Sequence, residues 1–134
     1  MKVEWDASVP AEVKRTAAPL FKRHAKVAPT WCHWLTVQYG PIEGDGTMEC
    51  DARPEYRQAS IKIGEGWLAE SADARSAGVC HEHVHILLAP MANFFDRIMQ
   101  HMPDGVGKAV LQQEWEHAVE GVTCDIARLL HDDG

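Results

Sequence analysis

No part of the chain approaches the roughly eighteen consecutive apolar residues that a membrane helix needs. The longest oily run, Ile86 to Ala89, is about one helical turn, so no membrane association is expected. Paired cysteines are also missing. Cys32, Cys50, Cys80 and Cys124 lie far apart with no C-x-x-C among them, which removes zinc ribbons and dithiol redox motifs and leaves four small packing side chains in a reducing compartment. Basic residues are in deficit: 13 Lys and Arg face 20 Asp and Glu, a net charge of -7. A chain of that sign is a poor ligand for phosphate backbones, so nucleic acid is not an expected partner. Glu4 and Asp6 stand where a secretory leader would need its apolar middle, and a cytoplasmic location is expected. There is no repeat, low-complexity tract or linker to divide residues 1–134, which suit a single domain. With 46% hydrophobic and 25% charged residues, the composition is that of a folded chain.

Patterning within the chain points to an α+β fold. Ser8-Val9-Pro10 is a helix start, with Val9, Val13, Ala17, Leu20 and Phe21 along one face and Pro19 expected to kink or interrupt it. From Trp31 the period changes to two. Trp31, His33, Leu35, Val37 and Tyr39 point one way, and "GPIEGDG" at 40–46 is a reversal that should turn this strand back into "TMECDAR". "YRQASIKIGEG" alternates again, with Ala59, Ile61 and Ile63 on one side, and "AESADARSAG" is a loop or short helix. Two helices close the chain. The first runs from Val79 to about Met102 with Pro90 inside it; the second, from Lys108 to His131, carries Leu111, Trp115, Val119, Val122, Ile126 and Leu129 as one continuous core stripe. The expectation is an N-terminal helix, a three-stranded mainly antiparallel sheet and two C-terminal helices.

The chemistry lies in "VCHEHVHILLAP", residues 79–90. His81, Glu82 and His85 fit H-E-x-x-H. Residues four apart share a helical face, so both imidazoles can reach one zinc ion, while Glu82 is rotated past the metal and can reach a water beside it. Zinc makes such a water acidic near neutral pH, and a neighbouring carboxylate can take its proton. His83 occupies a free position and is read as an exposed or packing residue. Cys80, about 100° round the helix from His81, is read as packing too. The aromatic cluster in "TWCHWL" suits a half-buried strand.

A catalytic zinc needs a third protein ligand and an open fourth position. On the last helix Glu116 borders the expected core stripe and is the preferred ligand. Glu120, one turn on, is the alternative or a group that hydrogen-bonds a ligand histidine. Glu114 and His117 should project to solvent.

A strand, then "VCHEHVHILLAP", then "EWEHAVEGVTCDIARLL" resembles the minimal zincin-like metallopeptidases of bacteriophages and prophages, and more distantly gluzincins such as thermolysin. The resemblance covers about residues 31 to 131 in element order, and its specific parts are H-E-x-x-H and the E-x-x-x-E of Glu116 and Glu120. It implies a zinc peptidase acting on a peptide or protein substrate, with Glu82 as general base. In such enzymes a strand ahead of the active helix can pair with an extended substrate. "QASIKIGEG" would serve if it lies at an edge; an inner strand is the other reading. The larger enzymes use additional domains to supply an oxyanion donor. Here the candidates are Tyr39, Tyr56, His101 and His117, and the sequence does not choose among them. Two other functions stay open: a non-catalytic regulatory module braced by zinc, with His117 or Cys124 as fourth ligand, and an acidic protein that covers a nucleic-acid-binding surface.

Overall fold

The computed structural model of the chain describes residues 1–44 and 46–132. Its elements are β1 (Lys2–Trp5), α1 (Ala11–His24), β2 (Trp34–Tyr39), β3 (Met48–Arg53), β4 (Gln58–Ile63), α2 (Ala72–Gln100) and α3 (Val106–Asp132), linked in places by single 3-10 turns. The expected α+β class holds, but the sheet has four strands and is mixed rather than three-stranded and mainly antiparallel. β1 is the additional strand. Val3 and Trp5 alternate with Lys2 and Glu4 over only four residues, which is too little pattern to identify in isolation. It is a strand because β2 gives it a parallel partner, with Lys2 opposite Trp34 and Trp5 opposite Val37. α1 forms the crossover between the two.

The reversal at 40–46 changes direction without making the expected pair. β4 inserts between β2 and β3, parallel to the first and antiparallel to the second, so the strand order is β1-β2-β4-β3. The side chains explain this choice. Ala59, Ile61 and Ile63 of β4 give a fully buried inner face, whereas β3 alternates Glu49, Asp51 and Arg53 with its apolar residues and suits an edge. The strand phases read from the sequence are those observed. Leu35 and Val37 join Ala59, Ile61 and Ile63 against Val13, Ala17 and Phe21 of α1 and Val79 and Ile86 of α2.

Neither helix proline breaks its helix. α1 continues through Pro19, which lies on the solvent side, where the carbonyl it leaves unbonded can be hydrated, and α2 continues through Pro90. α2 also starts earlier than its apolar pattern. Ser71 caps it by accepting from the Ala74 amide at 3.1 Å, and Arg75 fastens the first turns to the carbonyls of Trp67 (2.9 Å) and Leu68 (2.8 Å). Most of "AESADARSAG" is therefore the opening of α2.

The stripe expected to form the core of α3 does so only in part. α2 and α3 form an antiparallel hairpin, with the Cys80 thiol near the Ala127 carbonyl and Phe95 stacked on Trp115 at 4.2 Å. Beyond Ala89 only Met99 of α2 is buried, so the far part of the hairpin leaves the sheet behind. α3 buries only Thr123 and Ala127, while Leu111, Val122 and Leu129 are exposed. Trp115, Val119 and Ile126 of the stripe are half-buried beside Thr123 and Ala127, so the packed face is offset from the apolar stripe by less than one residue step.

Where α1, α2 and α3 meet, two histidines are fully buried. His24 Nε2 pairs with the Ser76 hydroxyl at 3.0 Å, and its ring stacks on His131. His83 Nδ1 bonds to the Val79 carbonyl at 2.8 Å, and its ring meets the Phe21 ring edge-on. Burial pushes His24 down to about 4, helped by His83, Arg23, His131 and Lys26; burial also lowers His83. An unfolded histidine binds its proton near pH 6.5, so the unfolded chain holds more protons than the folded one between there and about 4. Stability is therefore expected to fall as pH drops through that window. His24 alone accounts for about 2 kcal/mol between pH 6.5 and 5. Urea unfolding of chelator-treated protein at those two pH values checks this, and His24→Gln should remove that share of the difference.

Candidate metal centre

With Ser71 as cap, His81 falls in the third turn of α2, where the backbone is held at both ends. The helix divides "HEHVH" between two environments. Val79, Cys80, His83 and Val84 turn inward, and His83 is a packing residue, buried rather than exposed. His81 and His85 are half-buried and turn toward α3. The two Nε2 atoms lie 3.0 Å apart. The Glu120 carboxylate meets both, with Oε1 3.0 Å from His81 Nε2 and Oε2 3.4 Å from His85 Nε2.

Among the described residues His81, His85 and Glu120 form a group able to hold a metal ion, with ligand atoms all within 4.8 Å of one another. The donor set can be tested against zinc. Ligands about 2.0 to 2.1 Å from a tetrahedral ion stand about 3.3 Å from each other. The two nitrogens at 3.0 Å, with one carboxylate oxygen 3.0 Å from His81 Nε2 and the other 3.4 Å from His85 Nε2, are close to that spacing. Glu116 is not in the group. It is exposed, and its carboxylate accepts from the Gln112 amide at 3.4 Å. Of the two glutamates it is therefore Glu120 that meets the histidines, and its level along α3 is the cause. Both lie on the helix side of Thr123 and Ala127, but α3 runs antiparallel to α2 with Cys124 beside His81 and Trp115 beside Phe95, so Glu116 sits a turn too far along to reach them.

The group opens on a cleft of about 740 Å³ between α2, β3 and α3. Glu82 lines it while being largely buried, and its carboxyl is pushed up to about 7, first by burial and then by the nearby carboxylates of Glu120 and Glu49. A cation in the cleft opposes all three causes and favours the ionised form. Cys50 also lines the cleft, but burial, with Glu82 next in effect, raises its thiol, so it is not a thiolate nucleophile. Gly78 permits the close approach of β3 to α2, since a Cβ there would lie 2.5 Å from the end of the Met48 side chain.

β3, not β4, is the strand beside the site. β4 is an inner strand, whereas β3 is at the edge of the sheet and lines the cleft. None of Tyr39, Tyr56, His101 and His117 lines the cleft; Asn93 and Thr47 do, and they carry amide and hydroxyl donors. Asn93 is eight residues beyond His85, a spacing that keeps it near the same helix face and could have marked it in the sequence. Cys124 sits behind the site. Its sulfur is 4.0 Å from His81 Nδ1, the ring nitrogen turned away from the carboxylate, and 3.9 Å from Glu120 Oε1. Burial and Glu120 raise its thiol. It thus backs the histidine instead of closing the fourth position, and His117 is exposed on α3. No helix is long and apolar enough to cross a membrane among the described residues. Comparison of the chain with protein-family profiles, with curated proteins and with solved structures finds no match.

Proposed function

We propose that the protein is a zinc-dependent metallohydrolase, a peptidase of minimal zincin type, with His81, His85 and Glu120 as metal ligands and Glu82 as general base. The observation that carries this reading is the meeting of two imidazoles and a carboxylate, 3.0 to 3.4 Å apart, on the wall of a cleft that also holds the buried Glu82. Zinc, when bound, supplies Lewis acidity toward a carbonyl oxygen and makes water acidic near neutral pH. Three protein ligands leave the fourth position open, as catalysis requires.

The chain's own groups do the rest. Glu82 removes a proton from the attacking water and returns it to the leaving amine, a role that its nearly enclosed position suits. The free backbone edge of β3 holds an extended peptide by strand pairing, with alternate side chains setting the register. Asn93 and Thr47 are placed to donate to the carbonyl oxygen as charge develops on it.

Metal content by mass spectrometry, on protein purified without chelator or a histidine tag, tests the reading. About one zinc per chain is expected, with cleavage in a peptide library that stops when a chelator is added. Protein that binds zinc but cleaves nothing would favour the zinc-braced regulatory module. Protein that takes up no zinc, even when it is supplied, would remove the centre altogether.

A further inference from the structure

The side of the α2–α3 hairpin opposite the cleft carries the largest set of exposed apolar side chains on the molecule. On α2 these are Leu87, Met91, Phe94 and Ile98, ranging from 39% exposed at Leu87 to 65% at Phe94. Their spacing of four, three and four is the repeat of a coiled-coil seam. On α3, Leu111 and Val122 are exposed to a similar degree. The stack of Phe95 on Trp115 sets the register of the antiparallel pair, so Val122 lies level with Leu87 and Leu111 with Ile98. Stepping 100° per residue from the seam between the helices places all six on one side, and His81, His85 and Glu120 on the other. The two stripes therefore form one surface, not two.

We propose that this surface is the interface of a homodimer, in which two hairpins pack as a four-helix bundle and leave both metal clefts open. Three observations select a second copy over other occupants. The six side chains expose about 600 Å², near the lower bound of what each partner buries in a specific, stable interface and at the upper end of the largest apolar patch on a lone monomer. The strip itself carries no formal charge: between residues 83 and 100 only Asp96 and Arg97 are acidic or basic apart from histidine, both off this side, and on α3 Glu114 and Asp125 stand at its outer rim, three residues from Leu111 and Val122. A chain of net charge -7 can thus meet its own copy here without burying like charges, the two carboxylates staying at the solvated rim. The same lack of flanking Lys and Arg counts against an anionic membrane surface. Finally, two helices with matching apolar stripes are self-complementary about a two-fold axis, which is the geometry that isologous contacts use.

Sedimentation equilibrium of the zinc-loaded protein between about 1 and 100 µM is the test. The wild type should have the mass of two chains at the upper end and dissociate on dilution. Phe94→Glu and Val122→Glu should each be monomeric throughout, with unchanged helical circular dichroism and unchanged zinc content, because both side chains point to solvent in the monomer. Hydrogen exchange on the wild type gives an answer that needs no variant: amides of 87–98 and 111–122 should be protected more at high than at low concentration. A wild type that is monomeric at 100 µM overturns the proposal and would leave a different partner as the occupant. A dimer that survives both substitutions also overturns it, since its contact would lie elsewhere.

Discussion

Glu82→Gln should retain about one zinc per chain and lower peptide cleavage by about 100- to 10,000-fold, the range that positioned proton transfer contributes. Glutamine fills the same buried volume, and Glu82 is not among the ligand atoms, so the site keeps its metal and loses its base. The substitution also removes the repulsion that Glu82 shares with Glu120 and Glu49, so the metal-free variant should be no less stable than the wild type. Steady-state kinetics alongside zinc stoichiometry checks both halves of this result. Turnover at the wild-type rate would mean that another group removes the proton, and a loss of zinc would mean that Glu82 is a ligand.

Glu120→Ala should lower zinc affinity by more than about 100-fold, beyond the range usual for groups that merely support a ligand, and Glu116→Ala should leave it unchanged. The contrast is informative because the two positions are so alike. Both are exposed glutamates one turn apart on α3, and alanine is acceptable to the helix at either. Only Glu120 reaches the two Nε2 atoms, with one oxygen directed at each. Competition with a chromophoric chelator measures both affinities. Zinc loss in Glu116→Ala with retention in Glu120→Ala would require α3 to be shifted along α2 by about one turn from the arrangement seen here.

Much of the site was legible because its information is local. His81, Glu82 and His85 lie within five residues of one helix, and a period of 3.6 fixes their relative directions wherever that helix sits. The inward face of β2 and β4 was legible for the same reason, since alternation decides it before any partner is known. The third ligand was not local. Choosing between Glu116 and Glu120 needed the register of α3 against α2, which no pattern within α3 contains. The apolar stripe through Leu111 and Val122 reads as core to any pattern argument, because hydrophobic periodicity records that a face avoids water without recording what covers it.

The sequence by itself determined the α+β class, the phase of the strands, the two histidines with their carboxylate neighbour and the absence of a membrane-spanning helix. Each follows from side-chain order within a single element. Tertiary structure alone decided that β1 pairs with β2, that β4 lies between β2 and β3, that β3 borders the cleft, and that Glu120 completes the metal group. These are relations between elements distant in the chain. They are set by which faces bury one another most completely, and a local repeat holds no record of that competition.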